Sequence, residues 1–278
     1  MNRGRVITTN IKTKIEDFWY RKIIKNILSL SKLGRTSIKG AADSGLNFDH
    51  MYRAKPKGIT SFGRFVDKVL LNLPSVKATR NRKEIVIKIL QNEIANNLYL
   101  KRKTRIVDVA SGPARYLTEL IDGSNQHNVE VLCIDKDIRS LNFGKILAGD
   151  KPIRFTKADV LRIKHLKRLS KKIAWIPNIV LLSGLLEYKD DDFVLQILRD
   201  IHNSISYDGL LLFISQVDNP SKKLMSKVCV TSEGNRWELV YRKPEIFRKW
   251  LLDLGFKNVI ISVDQWGMYE FCTCRKYS

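Results

Sequence analysis

Four acids in this sequence stand at or just beyond the ends of apolar runs, where side chains suit ligand binding more than core packing. Asp108 ends Arg105-Ile-Val and opens into Val-Ala110-Ser111-Gly112-Pro-Ala114-Arg115-Tyr116. Small residues at alternate positions let the backbone approach a ligand closely, and a helix start beyond them offers unpaired N–H groups. Asp135 ends Val-Leu-Cys-Ile, 23 residues after Gly112, where nucleotide-binding βαβ units place an acid for a ribose diol. Because Asp135 and Asp137 both precede Ile138-Arg-Ser-Leu, capping a helix is a second role open to Asp135. Asp159 follows a third run, as a ligand-facing acid or as a loop cap. The fourth run, Ile179-Val-Leu-Leu-Ser183-Gly184-Leu185-Leu-Glu187-Tyr188, carries Glu187 and Tyr188, with packing and a helix start as their alternative roles.

The spacing discriminates between cofactors. A dinucleotide turn, Gly-x-Gly-x-x-Gly, requires glycine where this chain has Ala110 and Arg115. The acid-x-Gly-x-Gly-x-Gly turn of S-adenosylmethionine (SAM) sites fits better, with Asp108, Ala110, Gly112 and Ala114 in its four positions and alanine replacing two glycines. The candidate cofactor-binding residues are then Asp108, Ala110, Ser111, Gly112, Ala114, Arg115 and Tyr116 on the turn. Asp135 and Lys136 join them at the ribose, Asp159 and Val160 at the adenine amine, and Ser183, Gly184 and Leu185 beside the methyl group. Glu187, Tyr188 and Tyr52 are the candidates for the chemical step. Methyl transfer needs chiefly an in-line approach of the nucleophile, so a site without a catalytic histidine is no objection.

Positioning those acids requires strands that all end on one side. Short β-rich runs alternate with helical stretches after residue 104, which predicts a parallel α/β sheet. Strands are expected at Arg105–Val109, Val129–Ile134, Ile153–Phe155, Asn178–Ser183, Gly209–Ser215, Lys257–Val263 and Met268–Arg275. The last two are joined by Asp264-Gln-Trp-Gly267, short enough for a hairpin, so the final strand should be antiparallel. Residues 15–33 read as an amphipathic helix with Ile15, Trp19, Ile23, Ile27 and Leu30 on one face. That face either docks on the core or gives peripheral membrane contact. Residues 34–63 read as loop with at most short helices, followed by helices at Phe62–Leu73, Arg82–Tyr99 and Pro244–Leu254. The expected division is a basic extension over 1–40, a helical cap or lid over 41–103, and a SAM-binding domain over 104–278.

Composition narrows the partners. Lys and Arg number 50 against 28 Asp and Glu, a net charge of +22 that suits an anionic partner such as RNA or an acidic membrane. The cluster Arg80-Asn-Arg82-Lys83 supports an RNA methyltransferase as one alternative, although no recognisable RNA-binding module accompanies it. Four cysteines, Cys133, Cys229, Cys272 and Cys274, are too few for a disulfide scaffold and read as buried thiols; no metal site is expected. No apolar run approaches the ~20 residues of a membrane span and no signal peptide is visible, so a cytoplasmic protein is expected.

Asp108-Val-Ala-Ser-Gly-Pro-Ala-Arg-Tyr116 resembles the turn of a bacterial family of class I SAM-dependent methyltransferases, some fused to an α/β-hydrolase domain. The resemblance covers roughly residues 43–275. It includes Ser44-Gly-Leu-Asn-Phe-Asp-His-Met-Tyr52-Arg53-Ala-Lys-Pro-Lys-Gly58, Gly63-Arg64-Phe-Val-Asp67 and Thr79-Arg-Asn-Arg-Lys83 upstream. Downstream it includes Ser183–Tyr188, Asn219-Pro220, Arg242-Lys-Pro-Glu245 and Asp264–Gly267. It implies a Rossmann-like class I fold of seven strands, mostly parallel, with a helical N-terminal extension and SAM as cofactor. Family members in lipid metabolism make a small or lipid-like acceptor the expectation. In this architecture the segment before the first strand often covers SAM, so Tyr52, Arg53, Arg64 and Asp67 become lid residues, with Arg53 or Arg115 at the SAM carboxylate. The two alanines in the turn leave open a protein of SAM-binding fold that does no catalysis.

Overall fold

The computed structural model describes residues 15–121, 126–159 and 175–277. Val160 lies outside them. Two compact units are present: residues 1–79 with 220–238, and residues 80–219 with 239–278. These bounds differ from those expected at 40 and 103. Residues 220–238 hydrogen-bond to the N-terminal segment, Ala42 N–H to the Val230 carbonyl, Val230 N–H to the Ser37 carbonyl and Ser232 to Asp43.

In the second unit, β1 (Thr104–Val109), β2 (Val129–Asp135), β3 (Ile153–Lys157), β4 (Ile179–Ser183), β5 (Leu210–Gln216), β6 (Phe256–Val263) and β7 (Tyr269–Lys276) form one sheet ordered β3-β2-β1-β4-β5-β7-β6. Strands β1 to β5 pair in parallel, and β7 runs antiparallel to both β5 and β6. Seven strands with an antiparallel last member match the expectation, with each boundary within about two residues. β4 and β5 are apolar on both faces because helices cover a parallel sheet from both sides.

One sheet face, including Val107, Leu132, Val180, Leu211, Phe213 and Cys272, packs on Asp191–Ser204 and Pro244–Asp253 through Val194, Ile197, Phe247 and Leu251. The other face meets the helix Pro74–Tyr99, whose Glu93 pairs with Arg275 on β7.

The first unit is helical. The run 15–29 includes a π-helical stretch, Trp19–Ile24, and is followed by Lys32–Thr36, Gly45–Arg53 and Ser61–Leu71. The segment expected to be mostly loop is thus largely helical. Gly63 explains one tight crossing, since a Cβ there would come within 2.3 Å of the Leu30 carbonyl oxygen. Asp67 is fully buried and organises the unit. It accepts hydrogen bonds from Leu33 N–H (2.7 Å), Lys57 N–H (2.7 Å) and His50 Nε2 (2.9 Å). Burial alone would push the Asp67 carboxyl up, but these donors hold it below its ordinary value.

Of the two fates open to the apolar face of helix 15–29, docking on the core is not the one found. Leu28 enters the core, flanked by Tyr20 and Ile24, at i, i+4, i+8 spacing. Ile15, Trp19 and Ile27, from the face expected to dock on the core or on a membrane, are exposed to solvent. The helix carries two apolar stripes, and periodicity alone does not say which one turns inward.

Candidate functional site

The strand order creates a crevice. β2 leaves β1 on one side and β4 lies on the other, so the chain reverses its winding direction between β1 and β4, the position where open α/β sheets take ligands. Val109 pairs with Ile134 on β2 and Leu182 on β4, which puts the carboxyl ends of the three strands level. All the candidate site residues except Tyr52 and the undescribed Val160 lie in the sheet unit.

The turn after β1 adopts an uncommon backbone. Ala110, Gly112 and Ala114 have φ of 58°, 56° and 51°, the left-handed region that glycine enters without penalty. The three small positions of the motif are therefore the three that need positive φ. The alanines keep the turn at a cost of roughly 1 kcal/mol each. Asp135 then pins the turn, its Oδ2 accepting from Gly112 N–H and its Oδ1 from Asp137 N–H, both at 2.7 Å. Asp137, not Asp135, caps Ile138–Ala148 by accepting from Arg139 N–H. The two roles open to Asp135 are thereby separated: the neighbouring acid caps the helix, and Asp135 faces the turn.

The other turn residues divide by burial. Asp108 is fully enclosed, with Oδ2 accepting from the Tyr116 hydroxyl at 2.7 Å and Oδ1 without a hydrogen-bond partner among the described residues. Burial pushes its carboxyl well above the ordinary range, against the Tyr116 hydrogen bond. Asp108 and Tyr116 form the floor of the turn. Ser111 is buried and donates its N–H to the Ile134 carbonyl. Arg115 pairs with Glu119 and Arg53 with Asp49, each one helical turn away. Asp159, Ser183, Gly184 and Leu185 are half-buried and Lys136 is exposed. Tyr52 is half-buried on Gly45–Arg53 of the helical unit, and Asp67, expected in a lid, is spent inside that unit.

Beyond β4 lies a polar cluster that the sequence only half disclosed. Glu187 is buried, hydrogen-bonded to Gln216 at the end of β5 and influenced by Arg82, while its Oε2 has no partner among the described residues. Burial raises its pKa, opposed by those contacts. A Cβ on Gly184 would lie 3.5 Å from Arg82 Nη1 and 4.0 Å from Glu187 Oε1, so both groups abut the backbone just past β4. The Arg82 guanidinium sits 4.9 Å from the centre of the Tyr269 ring. Arg82 belongs to the Arg80–Lys83 cluster that motivates the RNA alternative. Arg82 is buried and Lys83 is engaged by Glu119 and Glu84.

Glu270 on β7 was missed. It is fully enclosed with neither carboxylate oxygen partnered among the described residues, and burial raises its pKa to about 8. A signal existed, since Glu270 shares the phase of the buried Cys272 and Cys274.

Residues 6–276 match the family described as “Putative methyltransferase”. The chain belongs to that methyltransferase family. Its similarity to the uncharacterized protein YnbC of Escherichia coli K12 is 26% identity over 235 residues, 82% of this methyltransferase-family chain. The chain spans only 39% of the length of that relative. Among solved structures it resembles a “possible exported protein” from Bordetella parapertussis, with TM-score 0.69 and 19% identity, covering 91% of this chain and 86% of the other. It also resembles the magnesium protoporphyrin IX methyltransferase of Synechocystis PCC 6803 with bound SAH, with TM-score 0.56 and 12% identity, covering 83% and 94%. At these identities the likeness establishes the fold, which is the Rossmann-like class I methyltransferase fold. Among the described residues no helix is long and apolar enough to cross a membrane.

Proposed function

We propose that this chain binds SAM and transfers its methyl group to a small or lipid-like acceptor carrying a hydroxyl or amine. The observation that carries the reading is the left-handed Ala110-Ser-Gly112-Pro-Ala114 turn, held by Asp135 at the crevice between β1 and β4. The Asp135 oxygens each retain acceptor capacity for a ribose hydroxyl beyond the one backbone N–H they receive.

When bound, SAM supplies an electrophilic methyl carbon on a sulfonium. The chain's part is to hold and orient. Asp135 and Lys136 would bind at the ribose, Asp159 at the adenine, and Ser183 to Leu185 would line the methyl-bearing side. Glu187, with one carboxylate oxygen unpartnered and a raised pKa, receives the proton that the acceptor releases. Tyr188 helps to orient the acceptor. Burial of Arg82 weakens one of the two grounds for the RNA alternative, and the net charge of +22 is the other.

Titration calorimetry with SAM tests the cofactor assignment: wild type binds, and Asp135→Ala weakens binding about 10- to 100-fold. Absence of binding by folded wild type would remove the enzyme reading and leave a non-catalytic fold. Methyl-labelled SAM with fractionated cell extract then identifies the acceptor class by the fraction that takes up label.

A further inference from the structure

Two helices of the N-terminal unit present apolar stripes that nothing in that unit covers. On the run 15–29, Ile15, Phe18, Trp19 and Ile27 are 41–58% exposed while Leu28 faces the core. On Ser61–Leu71, Val66, Leu70 and Leu71 are buried, yet Phe62, Phe65 and Val69 at i, i+3, i+7 are 48–61% exposed, with Ile59 at 65% just before them. The Phe62 and Phe65 rings stack on each other at 6.5 Å. The two helices are packed together, since Lys25–Ser29 contacts Ser61–Leu71. Soluble monomers rarely leave contiguous apolar surface of this kind, so the face calls for an occupant.

Charge selects the occupant. Arg21, Lys22 and Lys25 flank the first stripe, and Lys55, Lys57, Arg64 and Lys68 flank the second, all of them exposed. The acids of residues 15–71 are Glu16, Asp17, Asp43, Asp49 and Asp67, and all five are engaged internally. Glu16 and Asp17 pair with Lys223 and Lys227, Asp43 holds Ser232, Asp49 holds Arg53, and Asp67 is buried against His50. A second copy would bring cations against cations. RNA could stack bases on the rings but would leave the aliphatic Ile15, Ile27, Ile59 and Val69 in water. A bilayer with anionic headgroups satisfies both, with aromatic and aliphatic side chains at the acyl boundary and lysine ammoniums at the phosphates.

We propose that this face, built from Trp19, Phe62, Phe65 and the lysines beside them, docks the protein peripherally on an anionic membrane surface. The inference is independent of the methyl-transfer reading, because vesicle binding requires no cofactor.

Co-sedimentation of the full chain with phosphatidylcholine vesicles, with and without phosphatidylglycerol, tests it. Wild type binds the anionic vesicles and binds less as salt rises. Phe62→Ser combined with Phe65→Ser, and separately Lys22→Glu combined with Lys25→Glu, each weaken binding about 10-fold or more. These side chains are exposed, so unchanged circular dichroism and melting are expected. Brominated lipid should quench wild-type fluorescence more than that of Trp19→Phe. No binding by wild type, or binding that the phenylalanine pair leaves unchanged, overturns the proposal. So does a concentration-dependent dimer that the same pair abolishes without any vesicle binding, which would assign the face to a second copy.

Discussion

Buried carboxylates are treated in opposite ways by the two units. In the helical unit Asp67 receives two backbone N–H groups and His50, and its pKa falls despite enclosure. In the sheet unit Asp108, Glu187 and Glu270 are just as enclosed, each has at least one oxygen without a partner among the described residues, and their pKa values rise. A buried acid with its hydrogen bonds filled is a fastener, ionised at neutral pH and contributing to stability. An acid left incomplete costs stability, and the proposed function gives one of them, Glu187, a proton to carry. Local backbone produces part of the difference: a helix start and a short loop give Asp67 two N–H groups, whereas Asp108 and Glu270 lie on strands whose N–H groups the ladder consumes.

The largest effect expected from this contrast is at Asp67. Asp67→Ala should cost about 3–5 kcal/mol in urea unfolding, because it strips the partner from His50 and two backbone donors. With its folded pKa lowered from 3.8, the stabilisation from Asp67 is present above that value and lost as pH falls through the folded pKa. A loss no larger than that of an exposed aspartate would break the comparison.

Next comes Glu187, tested by rate. Glu187→Gln preserves shape and the Gln216 contact, and should lower kcat about 100-fold or more while leaving SAM affinity unchanged. The wild-type rate should fall as pH drops through the raised pKa of Glu187, a limb absent in the variant. Equal loss of kcat and of SAM affinity would mark Glu187 as structural.

Glu270→Gln should stabilise, most near pH 8 and hardly at all near pH 4. The sign follows from the raised pKa. Between 4.5 and about 8 the folded state keeps a proton that the unfolded state releases, so stability declines as pH rises across that window. Thermal melts across that range should show the decline in wild type and a shallower one in the variant, where Asp108 and Glu187 remain. The smallest effect is Ala110→Gly, which relieves a positive φ of 58° at the expense of a more flexible unfolded chain. A net gain of about 0.5–1 kcal/mol is expected in the same unfolding assay.

Local pattern made much of this readable in advance. Strand runs, the hairpin at Asp264–Gly267 and the acids at strand ends all follow from short-range alternation and turn chemistry, and the structure keeps them in place. The turn Asp108–Tyr116 was legible because backbone demands leave a mark on residue size: alanine or glycine recurs at the three positions that need positive φ.

Other features required distant partners. The sequence alone determined the strands of the sheet and where the acids fall along them, since those depend on neighbours a few residues away, but not the helices within residues 34–63. Tertiary structure alone decided that β1 and β4 lie side by side to open a crevice, and that residues 220–238 join the N-terminal unit. It also enclosed Arg82, Glu187 and Glu270, and it turned Leu28 inward while leaving Trp19 in solvent. Burial is a property of pairs of surfaces, and a helix with two apolar stripes does not carry in its own sequence the choice of which one finds a partner.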